Sequence, residues 1–250
     1  MSAPTSTSAA PPSPVSSASR ELKVGGITAF SATDYPGKLA AVVFVQGCPW
    51  RCGYCHNPHL QERTIAPALD WGGVMALLRR RVGLIDAVVF SGGEPCTDPA
   101  LGAAIAEVRA LGFAVGLHSA GVYPRRLAGL LPLLDWVGFD VKAPFEQYEA
   151  ITGVAGSGSQ ARECAELILA SGVDYECRTT IHPTLLAAAQ VEELAATLAE
   201  MGVRNYALQV FRAQGCADSA LNAMATAGYP GDALLHRVAG MFGQFTLRRS

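Results

Sequence analysis

From Leu39 onward the chain alternates short apolar, largely β-branched runs with stretches of helical character. This alternation limits the available folds more than any other feature. The runs predict strands at 41–46, 85–90, 113–118, 136–141, 175–181 and 206–211, with helices near 71–81, 99–111, 124–131, 160–171 and 189–201. The run Ala41-Val42-Val43-Phe44-Val45 is apolar at every position, as a strand buried on both faces of a parallel sheet requires. Six β/α units result, which leaves an open doubly wound sheet or a full or partial β/α barrel. The polar segments decide between them. A cysteine loop follows the first strand, Ser91-Gly92-Gly93-Glu94-Pro95 the second, His118-Ser119-Ala120-Gly121 the third and Asp140-Val141-Lys142 the fourth. Polar residues gathered at the carboxyl ends of consecutive strands mark the active face of a barrel.

At 250 residues the chain suits one α/β domain, expected over 21–250. Residues 1–20 are Ser, Pro and Ala with almost no large apolar side chain, so a disordered tail is expected there. They lack the apolar core of a secretory signal, and no apolar run is long enough to span a bilayer. Nineteen basic and twenty-one acidic residues give a net charge of −2, which argues against nucleic acid or an anionic membrane as partner. Arg79-Arg80-Arg81 reads as a solvated helix end. A cytoplasmic, reducing location follows. The seven irregularly spaced cysteines there point to metal ligation or buried thiols rather than disulfides.

Three of those cysteines, Cys48, Cys52 and Cys55, fall within eight residues, and the next, Cys96, is far along the chain. The set suits an iron–sulfur cluster left one ligand short, because electron-carrying clusters and closed zinc sites use four ligands. A zinc or redox site is the alternative. Gly92 and Gly93 let backbone approach a ligand closely, and Glu94 can accept from an ammonium, although Gly-Gly-Glu-Pro is also an ordinary strand-to-helix turn. Asp140 and Lys142, two apart, share one face of their strand, as ligand contacts or as a structural ion pair. Cys96, Cys164, Cys177 and Cys216 form no close pair and read as buried thiols; His59, His182 and His236 read as solvated or locally bonded.

Gly47-Cys48-x3-Cys52-x-Tyr54-Cys55-His56-Asn57-Pro58, followed one strand later by Gly92-Gly93-Glu94-Pro95, resembles the radical S-adenosylmethionine (SAM) enzymes. The resemblance implies a partial six-unit (β/α)6 barrel, a 4Fe-4S cluster on Cys48, Cys52 and Cys55, and SAM on the remaining iron. Asp34-Tyr35-Pro36-Gly37 and Tyr54-Cys55-His56-Asn57 further resemble the glycyl-radical-enzyme activating enzymes, above all those of anaerobic ribonucleoside-triphosphate reductase and next those of pyruvate formate-lyase. By that resemblance Gly92, Gly93 and Glu94 hold the methionyl amino group, Asp140, Lys142 and Arg178 contact SAM, and Tyr54 and His56 lie near the adenine. His56 has a loop-ordering hydrogen bond as its alternative. Arg212, where a relative has histidine, reaches SAM or the partner.

The activity so implied is reductive cleavage of SAM to a 5′-deoxyadenosyl radical that takes hydrogen from a glycine of a partner enzyme, with a flavodoxin- or ferredoxin-type electron donor. The protein supplies orientation and exclusion of water. Activases usually carry Asp-Thr-Asn-Gly after the third strand where this chain has His118-Ser119-Ala120-Gly121, so an aspartate contact there is missing. The rivals are a radical SAM enzyme acting on a small molecule, of the deazapurine synthase type, and an iron–sulfur electron carrier.

Overall fold

The structure, a computed structural model, describes residues 21–63 and 69–249; the expected tail, 1–20, lies outside the described residues. All six expected strands form, and two more join them. In chain order they are β1 (Val24–Ser31), β2 (Ala40–Val45), β3 (Ala87–Gly92), β4 (Ala114–Ser119), β5 (Trp136–Asp140), β6 (Asp174–Ile181), β7 (Asn205–Val210) and β8 (Gln244–Arg248). They make one sheet in sequential order, β1 antiparallel to β2 and each later pair parallel. Among the described residues the partial barrel therefore has seven parallel strands rather than six. β8 gives little signal because it is short and polar, with every residue exposed or half-buried. β1 is masked by Gly25 and Gly26. A Cβ on Gly25 would come within 2.3 Å of Leu60 Cδ2, so glycine there lets the cysteine loop rest on β1.

Strictly sequential order makes every crossover advance in the same direction, and right-handed crossovers then place all covering helices on one side of the sheet. The main helices are α1 (Trp71–Arg79), α2 (Leu101–Ala110), α3 (Pro124–Leu130), α5 (Ser157–Ser171), α6 (Ala188–Glu200) and α8 (Asp232–Ala239), with one-turn helices α4 (Tyr148–Thr152) and α7 (Ser219–Ala223) in loops. Side-chain alternation along β2 records the layering. Ala41, Val43 and Val45 join the large helix-side core with Val88, Phe90, Leu101 and Ile105. Ala40 and Val42 point the other way, into a small cluster with Ala87, Val89, Tyr35 and Trp136. That second cluster lines the concave side of the partial barrel, and Tyr35 stacks on Trp136 there at 5.0 Å. No helix among the described residues is long and apolar enough to cross a membrane.

Candidate active site

The carboxyl ends of the parallel strands surround a cavity of about 250 Å³. Cys48, Cys52, Tyr54, Cys55 and His56 line it from the loop after β2; Gly92 and Gly93 from the end of β3; His118 and Ser119 from β4; Asp140 from β5 and Lys142 from just beyond it; Arg178 and Thr180 from β6; and Gln209 from β7. Ten of the twelve residues singled out in the sequence meet here. The others, Glu94 and Arg212, do not line the cavity.

Backbone hydrogen bonds shape the cysteine loop. Gly47 N–H donates to Leu60 O (2.8 Å), Cys48 N–H to Gln61 O (2.9 Å) and Cys55 N–H to Cys52 O (3.0 Å). Trp50, 2% exposed, anchors the loop edge-on against Tyr148. The three cysteines are half-buried with free thiols. Burial first, then the charge of Glu94, pushes the Cys48 thiol up to about 12, and burial likewise raises Cys52. Among the described residues no three His, Cys, Asp or Glu side chains converge closely enough to hold one metal ion. All three thiols line the one cavity.

Gly92 and Gly93 serve the protein's own backbone. Gly92 has φ +112°, and a Cβ on it would sit 2.6 Å from Val45 N; one on Gly93 would sit 2.4 Å from Gly47 O. That closeness permits Gly93 N–H to reach Val45 O (2.9 Å) and Glu94 N–H to reach Gly47 O (2.8 Å), fastening the end of β3 to the cysteine loop. Glu94 is 1% exposed and does not line the cavity. Its carboxylate accepts from Cys96 N–H (3.2 Å), the Ser119 hydroxyl (3.0 Å) and Ala120 N–H (2.8 Å). Burial raises its pKa against the pull of these donors. In this arrangement Glu94 ties the end of β3 to the end of β4.

Charged groups gather across from the cysteines. Asp140 and Arg178 are register neighbours on β5 and β6, and the guanidinium holds Asp140 Oδ1 from Nε (3.1 Å) and Nη2 (3.0 Å). Lys142 Nζ lies 4.0 Å from Asp140 Oδ2, 3.4 Å from the Tyr54 hydroxyl and 5.3 Å from the Tyr54 ring centre. Burial alone would raise the Asp140 carboxyl, but Arg178, Lys142 and His118 hold it low. Burial disfavours the Lys142 ammonium, and Tyr54, Cys52 and Asp140 outweigh it, so it stays protonated. Two cations against one carboxylate leave the group net positive, suited to a ligand carboxylate.

His56 lines the cavity while its Nε2 lies 3.0 Å from Arg212 O and its ring stacks on Phe211 at 5.8 Å. The bond joins the cysteine loop to the segment after β7, and Arg212 takes part through its carbonyl while its side chain is exposed.

His118 and Asp34 are cavity residues that the sequence did not single out as site residues. His118 Nδ1 lies 3.1 Å from Ser91 Oγ and Nε2 lies 2.8 Å from Asp34 O. The carbonyl can only accept, so Nε2 carries the proton and Nδ1 accepts from Ser91, an assignment made from the network. Arg178 Nη1, 3.2 Å from Nε2, then faces a donor. Burial and that cation push the imidazole down to about 4. Gly138 makes the cluster possible, since a Cβ there would lie 2.7–2.8 Å from Trp136, Arg178 and His118 atoms. The signal for Asp34 was the Asp-Tyr-Pro-Gly segment. For His118 it was the position at a strand end.

The sequence family described as the Radical SAM superfamily matches residues 42–201. A Methanocaldococcus jannaschii protein, provisionally named a glycyl-radical enzyme activating enzyme, is 30% identical over 207 residues, 78% of this chain and 82% of its own. The pyruvate formate-lyase-activating enzyme of Clostridium pasteurianum is 29% identical over 169 residues, 65% of this chain and 70% of its own. The crystal structure of QueE from Escherichia coli overlays with TM-score 0.54 at 14% identity, covering 92% of this chain and 94% of that one, a likeness in fold. The chain belongs to the radical SAM superfamily, enzymes that work with a 4Fe-4S cluster and S-adenosylmethionine.

Proposed function

We propose that this protein is an activase that removes a hydrogen atom from a glycine of a glycyl radical enzyme, with anaerobic ribonucleoside-triphosphate reductase as the target. The observation that carries the reading is Asp34. It is the first residue of the Asp-Tyr-Pro-Gly segment on which the resemblance to activases rests, and it lines the cavity of the cysteines, where His118 Nε2 lies 2.8 Å from its carbonyl oxygen; the next residue, Tyr35, packs on Trp136 outside that lining. The similarity to named activating enzymes over 78% and 65% of the chain supports it.

In this reading Cys48, Cys52 and Cys55 each hold one iron of the cluster. The bound cluster and SAM supply a carbon-centred radical able to abstract hydrogen. The chain's own residues orient the cofactor: the net positive Asp140–Lys142–Arg178 group faces the methionyl carboxylate, and Tyr54, 6% exposed and braced by Lys142, offers a ring to the adenine. Gly92 and Gly93 keep the end of β3 tight against the cysteine loop. The depressed pKa of His118 keeps it neutral at physiological pH, so no further cation competes for Asp140. One domain over 21–250, the cytoplasm as location and a flavodoxin- or ferredoxin-type donor complete the proposal.

The test is direct. The reduced, cluster-loaded protein, mixed with SAM and the full-length anaerobic reductase without oxygen, is expected to give a glycyl radical doublet in electron paramagnetic resonance. Deuterium placed on that glycine should appear in 5′-deoxyadenosine. A silent reductase together with deuterium transfer from a small metabolite replaces this reading with the small-molecule one.

A further inference from the structure

The hydrogen-bonding capacity of the cavity is mostly committed. His118 is held by Ser91 and Asp34, Arg178 by Asp140, Ser119 by Glu94 and Lys142 by Tyr54 and Asp140. Thr180 and Gln209 differ: both line the cavity, both are half-buried, and among the described residues neither side chain has a hydrogen-bond partner. They are register neighbours on β6 and β7, so their Cα atoms are about 4.8 Å apart and their side chains project from the same face. The strand order sets Thr180 four strands and Gln209 five strands round the arc from the cysteine loop of β2. The other neutral amides on the cavity, Asn57 and Gln61, belong to that loop.

Two neutral, adjacent groups suit a particular ligand chemistry. A glycine has no side chain to grip, so the segment that carries it must be held through its amides. A glutamine amide matches a peptide unit donor for acceptor, and a threonine hydroxyl adds one donor and an acceptor. Neither brings a charge, which the dry interior would penalise without a counter-ion. We propose, on the activase reading above, that Thr180 and Gln209 form the backbone-recognition pair of this cavity and hydrogen-bond the peptide units flanking the target glycine.

The test compares Thr180→Val, Gln209→Leu and the double variant with the unaltered holoenzyme, using the full-length anaerobic reductase and a short synthetic peptide of its glycine loop as probes. Each lost neutral hydrogen bond is expected to raise the probe concentration for half-maximal glycyl radical yield by roughly three- to tenfold. The SAM dissociation constant, read from the cluster spectrum, should stay within about twofold, since cofactor contacts are assigned elsewhere. Thr180→Ser should restore the lost affinity, which a role in packing alone would not do, and Gln209→Ala covers a leucine that fits poorly. Unchanged half-saturation in the double variant overturns the proposal, as does a loss of SAM affinity matching the loss of radical yield, which would give these side chains to the cofactor. No glycyl radical from the unaltered protein overturns the activase reading and this pair with it.

Discussion

At the scale of single residues, the Glu94 carboxylate accepts from two backbone amides and a hydroxyl while almost fully enclosed. Glu94→Gln turns one acceptor into a donor facing a donor, so it should cost about 1–3 kcal/mol of folding stability in urea titration. An unchanged midpoint would show that Glu94 is not the tie between β3 and β4. Replacing Cys48, Cys52 or Cys55 singly with Ala leaves two of the three thiols proposed to hold the cluster. Iron and sulfide analysis should show the cluster lost and SAM cleavage gone; full cluster content with normal cleavage in any one variant overturns the ligand assignment. His118 carries a pH signature. Its folded pKa, about 4, lies below the ordinary 6.5, so the unfolded chain binds the extra proton first and stability falls as pH drops from about 6.5 to about 4. The slope is at most about 1.4 kcal/mol per pH unit. Arg178 and Trp136 face the ring from β6 and β5, Ser91 from β3, Asp140 from the end of β5 and Asp34 from the β1–β2 connection. Glu94, with a raised pKa, acts in the opposite sense from about pH 4.5 upward. The difference between the wild type and His118→Gln isolates the histidine: urea midpoints measured across that window should converge as pH falls, and parallel profiles would refute the assignment.

At the scale of elements, the contact between the end of β3 and the cysteine loop is made of backbone. Gly93→Ala places a methyl 2.4 Å from Gly47 O, and Gly92→Ala combines a 2.6 Å approach to Val45 N with φ +112°. Neither obstacle is a flexible side chain end, so the loop must move. Each variant should lose about 3 kcal/mol or more of stability in thermal or urea unfolding and load less iron than the wild type. A stable, fully loaded Gly93→Ala protein would show that the loop tolerates displacement. The six central strands were legible because runs such as Ala-Val-Val-Phe-Val suit burial on both faces, and their observed bounds lie within two residues of those expected. β1 and β8 were not, since most of their residues are exposed or half-buried and their sequences carry a correspondingly weak pattern.

At the scale of the molecule, the sheet runs from β1 to β8 without closing on itself among the described residues. The last strand is secured by an ion pair across β7: Arg248 Nη1 and Nη2 meet Glu176 Oε1 and Oε2 at 2.7 and 2.9 Å, and Glu176 is 3% exposed. Arg248→Ala would leave that carboxylate buried and unpaired. It should cost about 2 kcal/mol in urea unfolding, less than a fully buried pair because the arginine side chain is 34% exposed. Faster amide exchange confined to β7 and β8 should accompany it. No change in either measurement would mean that β8 is held by its backbone ladder alone.

What the sequence determined by itself is what local order encodes: the alternation of buried strands and covering helices, the spacing of Cys48, Cys52 and Cys55, and the placement of polar segments after consecutive strands. Those features depend on neighbours along the chain, where periodicity and spacing can be read directly. The tertiary structure alone decided which way the polar groups point and what they meet. Glu94 sits in a strand-end motif yet is enclosed, because Cys96 two residues on and Ser119 and Ala120 at the end of β4 capture its carboxylate. Gly92 and Gly93 proved to be required by the backbone of β2 and its loop, some forty-five residues earlier in the chain. His118, Asp34 and Arg178 come together only because β4, β6 and the β1–β2 connection converge on the concave face, a meeting that no spacing along the chain announces.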